Sequence, residues 1–233
     1  TVTIDYYRDQ SVAFEGFKAG QFDLFYDYIA KNWAMAYDFP ALQEGRVIKE
    51  EISHKIPSPT QALFFNIRRP LFKDKRVREA LSLMFDFEWT NKSLFNNAYK
   101  RNQSFYPNSD FQALGIPDKN ELALLTPFKE KLPKALFTQE FLLPVTHADG
   151  NIRTQLRQAN KLLNEAGWVL KHHKLIHAQT GNPFKFEILM RQAGIQRVLL
   201  PFIKNLEKLG ITAIPRLIDT AQYKVRLDQF DFD

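Results

Sequence analysis

The residues best suited to binding chemistry in this chain are two adjacent arginines, Arg68 and Arg69. They follow residues 61–67, a short apolar run between two prolines that predicts a buried strand. Groups at strand ends often meet ligands, and a guanidinium can hold a carboxylate or a phosphate through two hydrogen bonds. Adjacent strand residues point to opposite faces, so one of the two arginines is expected to face a given cleft. A salt bridge to a nearby acid, such as Asp74 or Asp86, is the alternative role.

Catalytic patterns are absent from the sequence. The chain has no glycine-rich phosphate loop, no HExxH, no GxSxG and no cysteine. Neighbouring carboxylates such as Glu50 and Glu51 would alternate faces on a strand. Asp231 and Asp233 would share a face, but the sequence shows no positioned partner for general acid–base work. We therefore expect no catalytic residues and no cofactor.

A cluster of three histidines is the only pattern that resembles a metal site. It consists of His172, His173 and His177. The first two would point to opposite faces of a strand and could not bind one ion together without distortion. We interpret all three as solvated histidines of a hairpin and expect no metal.

Composition places the chain among folded domains. The 233 residues contain 45% hydrophobic and 14% aromatic residues, with 21 phenylalanines, which excludes a disordered chain. The net charge of +6 is spread along the sequence without the basic, aromatic surface that nucleic acids require. No run approaches the ~20 apolar residues of a membrane span. The chain opens without Met on a strand-like sequence, and we expect both ends to continue into a longer protein.

Alternating helical and extended patterns predict an α/β architecture. Periodicity and capping residues predict helices near 12–17, 74–84, 86–95, 120–125, 134–137, 152–166, 195–209 and 219–227. Residues 30–45 are mixed, and we expect a short helix and a turn there. Strands are predicted near 2–7, 22–28, 47–54, 61–67, 168–177, 184–190 and 211–218. Pro215 indicates that the last of these strands lies at a sheet edge. Five prolines interrupt residues 102–150, which we interpret as an irregular insertion.

The segment FNIRRPLFKDKRVREALSLMFDFEW carries a family resemblance. It resembles the signature of the family 5 extracellular solute-binding proteins, the peptide and nickel receptors of ABC importers. The matching positions are Phe65, Asn66, Pro70, Phe72, Asp74, Arg76, Val77, Arg78, Ala80 and Asp86. The doubled arginine and DFEWTNKSLF are similar to the subgroup associated with oligopeptide and microcin C uptake. Further segments in the same order, including ANKLLNEAGW and TGNPFKFEIL, extend the resemblance over most of the chain.

The resemblance implies a lobe of a type II periplasmic-binding-protein fold of the peptide-binding cluster, with a mixed β-sheet flanked by helices. Whole members of the subgroup are more than twice as long, so the chain resembles a fragment that holds the second lobe. Residues 1–28 would be a strand–helix–strand crossing from the first lobe, and 29–227 the second lobe with the insertion at 102–150. Residues 228–233 would begin the return crossing strand.

The resemblance also implies a function and a set of ligand-binding residues. The expected protein is a monomeric, non-catalytic receptor that captures oligopeptides, or peptide-like compounds such as microcin C, in the periplasm. It would deliver them to an inner-membrane ABC permease and would not bind nucleic acid. Gln61 and Asn66 carry amides suited to peptide groups, Arg68 or Arg226 would receive a carboxylate, and Trp33 would line the cleft. The acidic anchor for the peptide's α-amino group would lie beyond this sequence.

Two other functions stay open from the residues. The same lobe could serve as a chaperone-like peptide-binding domain without a role in transport. A hydrolase acting on peptides or sugars would need a nucleophile, a metal or a carboxylate pair, and the sequence offers no convincing set.

Overall fold

The structure, a computed structural model, describes residues 1–233 as two compact units. The first unit comprises Thr1–His54 and Ser93–Tyr99, and the second comprises Lys55–Lys92 and Lys100–Asp233. No helix is both long enough and apolar enough to cross a membrane. The lobe and crossing boundaries expected from the sequence stay predictions.

The first unit contains three short helices around a small aromatic core. These are α1 (Gln10–Lys18), α2 (Ala30–Met35) and α3 (Pro40–Gln43). The Asp9 carboxylate caps α1 by accepting a hydrogen bond of 2.8 Å from the Ser11 amide. Phe14, on the buried face of α1, contacts Phe39 edge-to-face at 6.5 Å between ring centroids. The predicted helix before Gly20 and the helical segment within 30–45 are thus confirmed.

The remaining helices lie in the second unit, except that Ser93 and Leu94, at the end of one of them, belong to the first. They are α4 (Pro70–Lys73), α5 (Lys75–Leu83), α6 (Phe87–Leu94), α7 (Lys119–Leu125), α8 (Arg153–Glu165), α9 (Gln196–Glu207) and α10 (Thr220–Asp228), with 3₁₀ turns at Thr126–Lys131, Lys134–Phe137 and Ala193–Ile195. Three of these helices have an aspartate at the N-cap position: Asp74 for α5, Asp118 for α7 and Asp219 for α10. Each carboxylate accepts from backbone amides that lack partners within the helix. The sequence-based helix predictions are confirmed at these positions.

Four strands form two pairs of opposite type. β1 (Trp168–Lys171) and β2 (Lys174–His177) form an antiparallel hairpin, whereas β3 (Lys185–Met190) and β4 (Thr212–Leu217) are parallel and joined through α9. The predicted strand at 168–177 is therefore a hairpin. His172 and His173 form its exposed turn, with φ angles of 48° and 62°. No group of three or more metal-binding side chains is present.

The parallel pairing of β3 with β4 leaves one edge of each strand open. Hydrogen bonds of 3.0 Å run from the Thr212 amide to the Phe184 carbonyl and from the Ile218 amide to the Met190 carbonyl. In a parallel ladder, alternate residues direct both backbone groups to the same neighbour. Pro215 therefore falls at a position whose amide would face away from β3, and it costs the ladder no hydrogen bond. The prediction that β4 is an edge strand is confirmed.

The core of the second unit lies between its helices and the β3–β4 pair. Helices α5, α8 and α9 each bury an apolar stripe, and β3 buries alternate side chains. Fully buried members include Phe72, Phe184, Leu81, Met84, Leu163 and Leu206. Burial of one such side chain contributes about 1.5–3 kcal/mol. This core holds β3 in place through the buried side chains of that strand.

Four predicted strands are wrong. Residues 2–7, 22–28, 47–54 and 61–67 have no strand pairing in the structure. Alternation of apolar residues predicts a pleated face, but a strand forms only where a neighbour completes its backbone hydrogen bonds. In the first of these segments Val2, Ile4 and Tyr6 are accordingly exposed, at 88%, 67% and 91% of their full areas. In the last, the run expected to be buried is mostly exposed as far as Phe64.

Candidate functional site

An open apolar cavity of about 450 Å³ lies in the second unit, beside the edge of β3 that β4 does not occupy. Residues 62–65 and 186–189 line it together with Phe202, Tyr223, Leu227, Phe232 and Asp233. Its size falls within the range of small-molecule pockets. We refer to this cavity as the β3 slot.

The backbone of β3 supplies the polar groups of the slot. Because Phe186 and Ile188 direct their backbone groups to β4, those of Lys185, Glu187 and Leu189 face the open edge. The Glu187 amide donates a hydrogen bond of 2.8 Å to the Asp233 carboxylate. The slot thus combines apolar walls with a strand edge able to exchange main-chain hydrogen bonds.

Asn66 fastens the segment before it to the last residues of the chain. Its side chain is 3% exposed, and Nδ2 donates to the carbonyls of Phe230 at 2.9 Å and Phe232 at 2.8 Å. Oδ1 accepts from the Arg68 amide at 3.2 Å, and the Asn66 amide donates to the Asp233 carbonyl at 3.1 Å. The amide predicted to bind ligand therefore already has protein partners for both N–H groups and for its oxygen.

The two arginines singled out in the sequence differ in their surroundings. The Arg68 guanidinium lies over the face of Phe230, with Cζ 3.6 Å from the ring centroid, and it forms no side-chain hydrogen bond or ion pair. Arg69 donates from Nη2 to Asp231 at 3.0 Å and from Nε to the Phe232 carbonyl at 3.2 Å. The salt-bridge role therefore applies to Arg69, with an acid far along the chain.

Arg226 lies in a network of charges on β3, α10 and the residues after α10. Its Nη1 donates to Glu187 Oε1 at 2.8 Å, and its Nε donates to the Asp231 carboxylate at 3.1 Å. Arg216 approaches the same Glu187 at 3.8 Å. Burial lowers the pKa of Arg226, but its hydrogen bonds and charge attraction to Glu187 and Asp231 outweigh burial and raise the pKa above the usual value. Arg226 therefore stays charged and held in place.

Trp33 and Gln61 complete the residues predicted from the sequence. Trp33 belongs to α2 in the first unit, where it contacts Tyr37 edge-to-face at 5.4 Å, and Lys49 Nζ lies 4.4 Å from its ring centroid. Burial, followed by the charge and hydrogen bond of Asp27, raises the pKa of Tyr37. Gln61 is exposed at the start of the extended segment of the second unit. The ligand-binding roles of these residues stay predictions.

The structure brings Asn66, Arg68 and Arg226 together around the chain after α10. It adds two residues that the sequence analysis did not single out as site residues, Phe230 and Glu187. Phe230 follows a helix whose predicted end fell at Leu227, and nothing in a lone phenylalanine signals a contact with Arg68. Glu187 is an acidic residue inside an apolar strand, FKFEILM, which is a usable but weak signal of a partly buried ion pair.

A family model described as bacterial extracellular solute-binding proteins, family 5 Middle, matches residues 1–233. Among curated proteins, the chain is 46% identical over 233 residues to the uncharacterized protein YejA of Escherichia coli strain K12. It is 37% identical over 235 residues to a probable peptide-binding protein YejA of Agrobacterium fabrum. These alignments cover 100% of the chain but only 39% and 38% of the two relatives. The chain thus spans about two fifths of the length of the curated relatives it matches.

Solved structures share the fold at low sequence identity. The chain matches NikA from Brucella suis in complex with Fe(III)-EDTA with a TM-score of 0.62 at 19% identity, over 97% of this chain and 39% of that one. It matches the oligopeptide-binding protein AppA from Bacillus subtilis with a TM-score of 0.60 at 19% identity, over 97% and 38%. The α/β fold is therefore that of type II periplasmic binding proteins of the peptide-binding cluster. Because the family model matches all 233 residues, this chain belongs to the family 5 bacterial extracellular solute-binding proteins.

Proposed function

We propose that the full-length protein is the substrate-binding component of an ABC importer for oligopeptides or peptide-like compounds, a class that includes microcin C. In this proposal it captures its ligand in the periplasm, without catalysis, and delivers it to an inner-membrane permease. The observation that carries the proposal is the family match over residues 1–233, together with the 37% identity to a relative named as a probable peptide-binding protein.

The β3 slot supports a peptide as the ligand. A receptor of broad specificity can take its affinity from main-chain hydrogen bonds, because these do not depend on the ligand's side chains. Asp233 already accepts the Glu187 amide, but the backbone groups of Lys185 and Leu189 and the Glu187 carbonyl face the same edge beside apolar walls. Gln61, exposed at the start of the segment that lines the slot, adds an amide of the same chemistry.

Arg68 is the best-supported carboxylate site within this proposal. Its donors have no protein acceptors, whereas Arg226 already holds Glu187 and Asp231. Asn66 would contribute indirectly, by holding the segment before it in place, because protein carbonyls already accept both of its side-chain N–H groups. Trp33 stays a predicted ligand contact through its aromatic side chain. Binding in such receptors shifts an equilibrium between open and closed lobes.

Calorimetry of the full-length protein with a pool of short peptides tests the proposal. We expect saturable binding that Arg68→Ala weakens, because a charged hydrogen bond contributes about 1.5–3 kcal/mol. Arg157→Ala is the matched control, since Arg157 is an exposed arginine on α8 whose removal changes the net charge equally. Absence of peptide binding would refute the proposed function. Equal affinity of the wild type and Arg68→Ala would refute only the carboxylate site.

A further inference from the structure

The turn that ends α10 holds a phenylalanine at a position where glycine is the commonest residue. The Asp231 amide donates to the Arg226 carbonyl at 2.8 Å, and the Phe230 amide donates to the Leu227 carbonyl at 3.0 Å. These two hydrogen bonds define a Schellman motif, in which the residue after the C-cap takes a left-handed conformation. Phe230 has a φ of 53°, a conformation that is uncommon for bulky residues. A glycine here would keep the turn and remove the strain.

Two contacts hold Phe230 in this conformation. Its carbonyl accepts a hydrogen bond of 2.9 Å from the buried Asn66 amide, and its ring lies under the Arg68 guanidinium. A glycine would retain the first contact, because that contact uses the backbone. Only the second needs the side chain. Phe230 is 46% exposed, so burial in the core does not explain why a phenylalanine occupies this position.

We propose that Phe230 is a positioning residue that presents the Arg68 guanidinium to the C-terminal carboxylate of a peptide ligand. This inference rests on the proposed function. A flexible arginine loses side-chain entropy when it binds an anion, and a stacked guanidinium has given up part of that freedom beforehand. The stack leaves the hydrogen-bond donors of Arg68 without protein acceptors, so they are available for two parallel bonds to a carboxylate. Strain at Phe230 is the local cost of that arrangement.

Three substitutions at Phe230 distinguish the effect of its aromatic ring from the effect of its backbone strain. Phe230→Tyr keeps an aromatic face, Phe230→Ala removes the ring and keeps the strained conformation, and Phe230→Gly removes both. Losing part of the prior ordering of one arginine side chain corresponds to about a two- to fivefold change in affinity. We expect Ala and Gly to weaken carboxylate binding by that factor and Tyr to restore it. In thermal unfolding, Phe230→Gly should melt at a higher temperature than Phe230→Ala, since glycine adopts this φ without strain.

The experiment titrates full-length protein with a short peptide in two forms, one with a free C-terminal carboxylate and one with a C-terminal amide. The ratio of the two affinities reports on the carboxylate contact alone and is insensitive to a general loss of stability. We expect the wild type and Phe230→Tyr to prefer the acid, and Phe230→Ala and Phe230→Gly to lose about two- to fivefold of that preference.

Two outcomes overturn the inference while the proposed function stands. The first is a wild type that binds both forms equally, and the second is an unchanged acid preference in Phe230→Gly. A wild type that binds neither form refutes the proposed function and, with it, the role given to Phe230. If Phe230→Tyr loses the preference for the acid as Phe230→Gly does, the aromatic face is not what positions Arg68. That result also overturns the inference.

Discussion

Asn66 offers the sharpest test of how the candidate site is built. Replacing it by alanine removes three side-chain hydrogen bonds: two donated to the carbonyls of Phe230 and Phe232 and one accepted from the Arg68 amide. Each contributes about 0.5–1.5 kcal/mol net, and the chain after α10 can recover part of this by rehydration. We therefore expect Asn66→Ala to lower the free energy of unfolding by roughly 2–3 kcal/mol.

The substitution Asn66→Asp sharpens the same prediction. The carboxylate keeps the shape of the side chain and its acceptor for Arg68, but it places an oxygen against two carbonyl oxygens. The loss of stability should then equal or exceed that of Asn66→Ala, because like partial charges replace two donated bonds. Gln61→Ala is the control, since its exposed amide should change stability by less than about 0.5 kcal/mol.

Urea unfolding measures the stability, and amide hydrogen exchange locates the change. In Asn66→Ala the Arg68 amide loses its acceptor, so its exchange should become faster. A loss below about 0.5 kcal/mol, with unchanged exchange at Arg68, would refute the view that Asn66 fastens the two segments.

Three further predictions concern other parts of the chain. Hydrogen bonds from Arg76 hold the pKa of Asp74 below its usual range, so the stability from Asp74 is present above the unfolded pKa and is lost as pH falls through the folded value. Asp74→Asn should therefore flatten the acid limb of urea-measured stability below about pH 4, and an identical limb would contradict this. Gly210→Ala places a Cβ 2.7 Å from the Leu175 amide nitrogen, whereas Gly181→Ala, where φ is also positive, meets open space. The first substitution should therefore lower the free energy of unfolding by about 1–3 kcal/mol more than the second. Equal losses of stability in thermal unfolding would contradict this. The isolated 233-residue chain should fold yet show no low-micromolar peptide binding by calorimetry, and tight binding would contradict a two-lobe receptor.

Helices were the predictable part of this fold. A capping aspartate and an apolar stripe are both local signals, and they locate α5 after Asp74 and α10 after Asp219. Strands were less predictable, because their hydrogen-bond partners are distant in sequence. Residues 61–67 have the composition of a strand, yet no neighbour completes a ladder with them. Pro215 was informative because its missing amide restricts a strand to an edge whatever the fold.

The candidate site was likewise predictable from local sequence only in part. The arginine pair could be identified from residue type and from its place after an apolar run, but the partner of each arginine could not. Arg69 binds Asp231 and Arg68 stacks on Phe230, more than 160 positions later in the chain. Such contacts depend on tertiary packing, which a pattern of neighbouring residues does not encode. The saturated amide of Asn66 likewise became visible only with its acceptors in place.

Mass spectrometry of small molecules released from purified full-length protein tests the central claim most directly. The account predicts short peptides, or peptide-like compounds, in the eluate of the wild type, with fewer carrying a free carboxyl terminus in the eluate of Arg68→Ala. The Arg157→Ala variant should release the same set as the wild type. An eluate without peptide material, from protein that then fails to bind added peptides, would contradict the account.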